Sequence, residues 1–328
     1  MHITTSAPSV VLGSFNMVYD YVIVDSKLLA YNSSYYRREP ILNFLNIVMN
    51  ALTYNRIRYK KIIWAHDINK SAYRLDLWEG YKGGRKDKQD KEHHEDQSRR
   101  EEFVAKYKRL PSILKYIGLQ VNHIPKVTNY EADDVPNLIK ELDPEARLLL
   151  ISLDGDWVLN LDERTHILKY DTNTLIDSES YIYEKYGMSK DSLKEAWEII
   201  GQEKDSIYGI KKLGLKRWAN NFAHLPEQER YEQVQEWLDE RKYGCSIDHK
   251  AKYNTWQDNW ELNKKLMTFM TINEHTESDV KFASEVIKGE HVEPEITYRE
   301  WIELCLMELN EVPPIDQRTF EALQRSIH

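Results

Sequence analysis

Two acidic clusters, each beside an apolar run, constrain this chain more than any other feature. Glu131, Asp133 and Asp134 form the first, and Asp154 and Asp156 directly follow Leu148-Leu149-Leu150-Ile151-Ser152-Leu153. Five carboxylates therefore fall within 26 positions. Half-buried like charges at this spacing repel one another, and ordinary folds avoid them unless cations compensate. Hard divalent ions such as Mg²⁺ take oxygen ligands of this kind. The pattern predicts a carboxylate-lined metal site.

Other acids fall into the same frame. Tyr21 to Asp25 reads as a short buried strand ending in an acid, and Lys61 to Asp67 reads as a second. Arg37 to Asn55 carries a helical period between them, Phe103 to Ile117 another, and Leu119 to Ile124 is a third strand. The helix opened by the acidic motif is expected to run to about Leu142. Glu131 and Asp134 would share one of its faces, with Pro136 tolerated only in the first turn. Arg147 to Ser152 is the fourth strand, apolar throughout as expected when both faces are covered. Ile167–Tyr170 and Thr174–Ile176 predict a hairpin. Strands alternating with helices give an α/β fold with a mostly parallel sheet flanked by helices, whose ligands gather at the carboxyl ends of strands. Asp25, Asp67, Asp154 and Asp156 all lie at that edge.

Basic residues are concentrated in two places. Lys82 to Arg109 holds ten Lys/Arg and seven Asp/Glu, a segment of solvated helices or an arch, with Lys82, Arg85, Arg99 and Arg100 at its ends as phosphate contacts. Lys204 to Arg217 holds five cations and one anion in a chain of net charge −9. Its Gly209 and Gly214 lie between helical segments at Tyr181–Tyr186, Leu193–Ile200 and beyond. Exposed amides and lysines there suit a sequence-independent phosphate grip. Net acidity argues against a generally basic nucleic-acid-binding face, yet a metal-loaded site and local basic stretches offset it.

The remainder, from Pro226 to His328, reads as helical and acidic, its aromatics Tyr231, Trp237, Trp256, Trp260, Phe269 and Trp301 as core. Asn273 to Lys288 reads as a loop, and the tail from Pro313 as a packed helix or a docking segment. Met1 to Met17 lacks the pattern of a signal peptide and reads as a loose arm. No apolar run approaches a membrane span. Cys245 and Cys305 read as free thiols of a reducing compartment, which points to a cytoplasmic protein.

Taken in order, six stretches resemble the flap endonuclease / 5′-3′ exonuclease family, particularly phage 5′ nucleases and the T-even phage ribonuclease H. They are Val24-Asp25-Ser26, His66-Asp67 through Arg74, Tyr81 through Arg85, Glu131 through Asp134, Ile151 through Trp157, and Gly201 through Gly214, covering roughly residues 20 to 220. The resemblance implies a PIN-like nuclease domain over 18–177 with a helical arch at about 80–105. It also implies a helical region over 178–328 with a helix–three-turn–helix DNA-binding motif at about 200–222. The implied activity is metal-dependent hydrolysis of phosphodiesters at 5′ ends, flaps or RNA primers, on DNA or RNA–DNA hybrid. Separately, the chain is expected to be a monomer, and as a docking segment its tail would serve a single-strand-binding protein or clamp.

By position, the resemblance implies metal ligation by Asp25, Asp67, Glu131, Asp133, Asp134, Asp154, Asp156 and Asp205. Two Mg²⁺, replaceable by Mn²⁺, would activate water and stabilise the leaving oxygen. Lys82, Arg85 and Arg74 match catalytic basic positions. Tyr81, Lys204, Gly209, Ile210, Lys211, Lys212, Gly214 and Lys216 are the expected nucleic-acid contacts, with Tyr81 stacking on a base and K⁺ at the glycine turn.

Two departures stand out. Gln202 replaces an acid of the family pattern, which predicts a weaker second metal unless Glu203 swings in, and Pro136 could re-aim Asp133 and Asp134. The alternatives are a catalytically weakened DNA-binding relative and a nuclease acting on RNA alone.

Overall fold

The computed structural model describes residues 18–66, 70–83, 94–117, 120–121, 129, 131–288 and 296–325. A six-stranded sheet in the order β3-β2-β1-β4-β5-β6 organises them. Its strands are β1 (Val18–Asp25), β2 (Arg58–Ala65), β3 (Gln120–Val121), β4 (Leu148–Ile151), β5 (Thr165–Lys169) and β6 (Thr174–Ile176). All neighbours are parallel except β5 and β6, the expected hairpin.

The apolar β1 and β4 runs arise because both faces are covered, so successive residues enter opposite cores. Tyr21, Ile23, Leu148 and Leu150 face one core, and Val22, Val24, Leu149 and Ile151 face the other. The first core is closed by α5 (Val135–Leu142), α6 (Ser180–Tyr186), α7 (Lys190–Ile200), α8 (Gly214–Asn221), α9 (Glu227–Asp239), α10 (Trp256–Met267) and α11 (Glu277–Lys288). The second is closed by α2 (Phe44–Tyr54), α4 (His94–Leu114), α12 (Tyr298–Leu309) and α13 (Gln317–Arg325). Two short helices, α1 (Ser26–Ala30) and α3 (Ala72–Leu77), follow β1 and β2. Both cores draw residues from either side of position 178, so helices from before and after it together cover each face of the sheet.

Three expectations change. The segment 273–288 contains a helix, α11, because Val280 and Ala283, three positions apart, share a face that packs on the first core. The helix expected from Arg37 begins as regular α-helix only at Phe44, after Pro40 and a 3₁₀ turn at Ile41–Asn43. The acidic motif is likewise a 3₁₀ turn, Ala132–Asp134, and α5 starts at Val135 with Pro136 in its first turn. Trp237, Trp256 and Trp301 are core, and Phe320 and Leu323 pack the tail into the second core. Both cysteines are buried free thiols. Among the described residues no helix is long and apolar enough to cross a membrane.

Candidate active site

Register places the acids. Val24 pairs with Ile151 and Asp25 with Ala65, so β1, β2 and β4 end together and Ser152 to Asp156 leave beside Asp25. Asp25 caps α1, and its Oδ2 accepts a hydrogen bond from Ser152 Oγ at 2.7 Å. Ser152 Oγ also accepts from the Asp154 N–H at 3.0 Å. One small side chain thus fixes the spacing of two carboxylate-bearing turns.

The 3₁₀ turn gives its three acids different environments. Asp134 is fully buried, and its oxygens accept from Arg74 Nη1 and Nη2 at 2.7 and 2.8 Å, from Glu131 N–H at 2.9 Å and from Met270 N–H at 3.1 Å. Glu131 Oε2 accepts from Lys82 Nζ and Tyr81 Oη, each at 2.6 Å. Burial alone would raise the Glu131 pKa, but the Lys82 and Arg74 cations and these hydrogen bonds outweigh it and hold the carboxyl at about 2. Asp133 goes the other way: burial first, then the Asp134 charge, pushes it well above the usual carboxylate range. Glu131 Oε1 and Asp133 Oδ1 are buried and accept no hydrogen bond.

Several expected roles change here. Arg74 is 2% exposed, with Nε donating to the Leu266 carbonyl at 2.8 Å, so it faces inward and clamps Asp134 instead of meeting a substrate. Asp134, with four donors on its two oxygens, is a partner of Arg74 and the backbone, not an open ligand. The Tyr81 ring is buried, so it cannot stack on a base, and its hydroxyl positions Glu131. Lys82, 9% exposed, remains at the rim of the site, and its N–H donates to the Asp205 carbonyl at 2.8 Å, joining the arch base to the glycine turn. Asp67 and Arg85 lie outside the described residues.

The second cluster is more open. Lys204, expected to contact nucleic acid, instead places Nζ 3.1 Å from Asp154 Oδ1 and 2.8 Å from Asp156 Oδ2. Gln202 Nε2 donates to Asp156 Oδ1 at 3.0 Å. Burial and the Asp154 charge raise the Asp156 pKa against the pull of Lys204. Asp205 is buried in the turn that carries Lys204. Among the described residues no three Asp, Glu, His or Cys side chains stand together at metal-ligand spacing. They are paired instead with Lys82, Arg74, Ser152 and Lys204. A hard cation fits the first cluster nevertheless, because two buried carboxylate oxygens there have no donor to satisfy them.

The glycine turn lies between α7 and α8 as a chain of short pieces: Gly201–Gln202, the 3₁₀ turn Glu203–Asp205, Ile207–Tyr208 and Ile210–Lys211. Gly209 and Ile210 are buried, and a Cβ at Gly209 would stand 2.1 Å from the Ile199 carbonyl oxygen. Both pack tightly while also lining the cleft on this face. Gly214, at φ +60, opens α8 into free space, where a side chain would be strained. Lys212, Gly214 and Lys216 are exposed, whereas Lys211 is tied to Asp248 at 3.2 Å. With Arg217 and Asn220 these residues line an open cleft of about 670 Å³. Asp248 and the 266–270 segment under the acidic turn were not legible, being joined to it only through contacts distant in sequence.

The site is thus a set of acids at the carboxyl edge of a mostly parallel, helix-flanked sheet, with a basic glycine turn beside them. Residues 20–189 match the profile of the 5′-3′ exonuclease N-terminal resolvase-like domain, and the chain belongs to that family. A 5′-3′ exonuclease of Buchnera aphidicola is 29% identical over 220 residues, covering 62% of this chain and 71% of the relative. The thermostable DNA polymerase I of Thermus aquaticus is 25% identical over 225 residues, 64% of this chain but 25% of that protein. Among solved structures, a bacteriophage T5 flap endonuclease complex with DNA and metal ions aligns with a TM-score of 0.56 at 16% identity, covering 94% of this chain and 99% of its own. T5 5′-exonuclease with bound zinc aligns at 0.54 and 18%, covering 94% and 98%. These two likenesses support the fold.

Proposed function

We propose that the chain is a divalent-metal-dependent, structure-specific 5′ nuclease that hydrolyses phosphodiesters at 5′ ends and flaps of DNA, RNA primers included. The unsatisfied, buried oxygens of Glu131 and Asp133 carry this reading, and Lys82 ties them to the second acidic cluster by binding Glu131 while its N–H donates to the Asp205 carbonyl. Asp25, Glu131, Asp133 and Asp154, with Asp67, would hold Mg²⁺ or Mn²⁺, which supplies a water acidified for attack and charge for the leaving oxygen. Tyr81 and Lys82 keep Glu131 ionised and aimed, and Ser152 sets Asp25 against Asp154. Arg74 and Asp134 anchor the acidic turn on the 266–270 segment. Lys82 and Arg85 would offset charge on the scissile phosphate. Lys212, Lys216 and the amides near Gly214 would hold duplex phosphates, with K⁺ at the turn. We place the protein in the cytoplasm as a monomer, in line with its buried free thiols.

The test is cleavage of a 5′-labelled flap, a nicked RNA–DNA hybrid and plain RNA, each with Mg²⁺ and with EDTA. Cutting of the flap or hybrid in Mg²⁺ alone is expected. Binding without cutting in Mg²⁺ or Mn²⁺ would replace this reading with the DNA-binding relative that the Gln202 and Lys204 positions favour. Cutting of plain RNA alone would replace the substrate class.

A further inference from the structure

We infer that the second cation of this site is built into the chain: the Lys204 ammonium occupies the position between Asp154 and Asp156, so the protein binds one divalent ion rather than two. This rests on the nuclease reading and assigns its metal stoichiometry.

Three observations converge. Lys204 Nζ bridges Asp154 and Asp156 at 3.1 and 2.8 Å, close enough to both for charge-assisted hydrogen bonds. On the far side of Asp156, Gln202 donates an N–H to Oδ1 at 3.0 Å, where an acid would have added a ligand. An amide turned to donate cannot offer its oxygen to a cation through that contact.

The backbone, finally, fixes where the lysine starts. Its 3₁₀ turn closes through Ser206 N–H to the Glu203 carbonyl at 3.1 Å, with Ser206 at φ +59, and the Asp205 carbonyl accepts from Lys82 N–H at 2.8 Å. The side chain of Lys204 therefore rises from an anchored turn rather than a loose loop.

Charge completes the case. An acid at 202 with Asp154 and Asp156 would total −3; Gln202 makes that −2, and the Lys204 ammonium brings it to −1, with Asp205 as a further acid nearby. A divalent ion gains little from such a set and is repelled by the ammonium at contact distance. Glu203 is exposed and lines the cleft of the glycine turn, with no ion pair to Lys204 among the described contacts. A tethered ammonium is a point charge with three donors, so it can offset one of these two negative charges without drawing an ion from solution.

Mn²⁺ binding to the metal-free full chain, without nucleic acid, tests this by electron paramagnetic resonance. One ion per chain is expected for the wild type and for Lys204→Arg. The double variant Gln202→Asp/Lys204→Ala is expected to bind two, with the line broadening of a close pair. Circular dichroism of each variant in EDTA reports folding, and Lys204→Arg keeps the test valid if the double variant does not fold. Two ions in the wild type, or one in a folded double variant, overturns the inference and leaves the nuclease reading intact. No bound ion in the wild type overturns both.

Discussion

The two halves of the acidic edge solve the same electrostatic problem by different means. Around the acidic turn Glu131 and Asp134 are buried and Asp133 half-buried, and cations and donors from three distant segments hold the first two: Arg74, Lys82 and the 266–270 backbone. Around Asp154 and Asp156 the acids are more open, and a single lysine from their own edge of the site stands between them. The first half leaves Glu131 Oε1 and Asp133 Oδ1 buried and without donors, so it retains a demand for a metal. The more open second half is met by Lys204 together with the Gln202 amide, both from the neighbouring turn. A metal site can thus lose one of its ions without losing its shape, provided the chain supplies the missing charge.

The comparison breaks most readily at Arg74. Arg74→Met should leave Asp134 buried and unpaired and destabilise the fold by about 3–5 kcal/mol, measured by urea unfolding in EDTA. Lys204→Met, at the open half, should shift the same midpoint far less. Equal losses would show that the two halves are not differently buried.

Asp133→Asn should lower Mg²⁺-dependent flap cleavage on the order of a hundred-fold, the scale of other electrostatic stabilisers in active sites. It should also raise the stability of the metal-free protein, since the amide removes a carboxylate that burial disfavours. A variant with unchanged cleavage would remove Asp133 from the site.

Opposite pH responses should separate the halves in metal-free protein. Glu131 is held at about 2, below its usual 4.5, so the stability it contributes is present above 4.5 and is lost as pH falls toward 2. Asp156 is raised above its usual 3.8, so its contribution is present below that value and is lost as pH rises through the elevated one. Unfolding followed against pH should flatten on the acid side in Glu131→Gln and on the alkaline side of 3.8 in Asp156→Asn. The same sign in both variants would contradict the contrast.

The smallest effect belongs to the cleft. Lys212→Ala and Lys216→Ala should each weaken duplex binding and reduce its salt slope by about one, read by fluorescence anisotropy at several salt concentrations. Neither should change Mn²⁺ stoichiometry.

Much of this was legible because it is local. The unbroken Leu148–Ile151 run states that both sheet faces are covered, and acids placed just after such runs state where the site lies. The order of motifs carries the family. What could not be read depended on contacts between distant positions. Tyr81 and Arg74 look like substrate-facing residues in sequence, and both turn inward because Glu131 and Asp134 fold over them. Gly209 and Ile210 sit in a turn whose glycines suggested exposure, but α7 passes so close that Gly209 has no room for a side chain, and both reach the cleft with little exposed surface. The polar 277–288 stretch is helical only because the first core offers Val280 and Ala283 a surface.

By itself the sequence determined the parallel sheet, the edge on which the acids gather, the basic glycine turn and the substitution of Gln202, because each follows from hydrophobic period or residue identity at a strand end. Tertiary structure alone decided which acids are satisfied and which still call for a cation, since that depends on whether Arg74, Lys82, Ser152 or Lys204 reaches a given oxygen. Pairing at 3 Å is a property of the folded chain, and no spacing along the sequence encodes it.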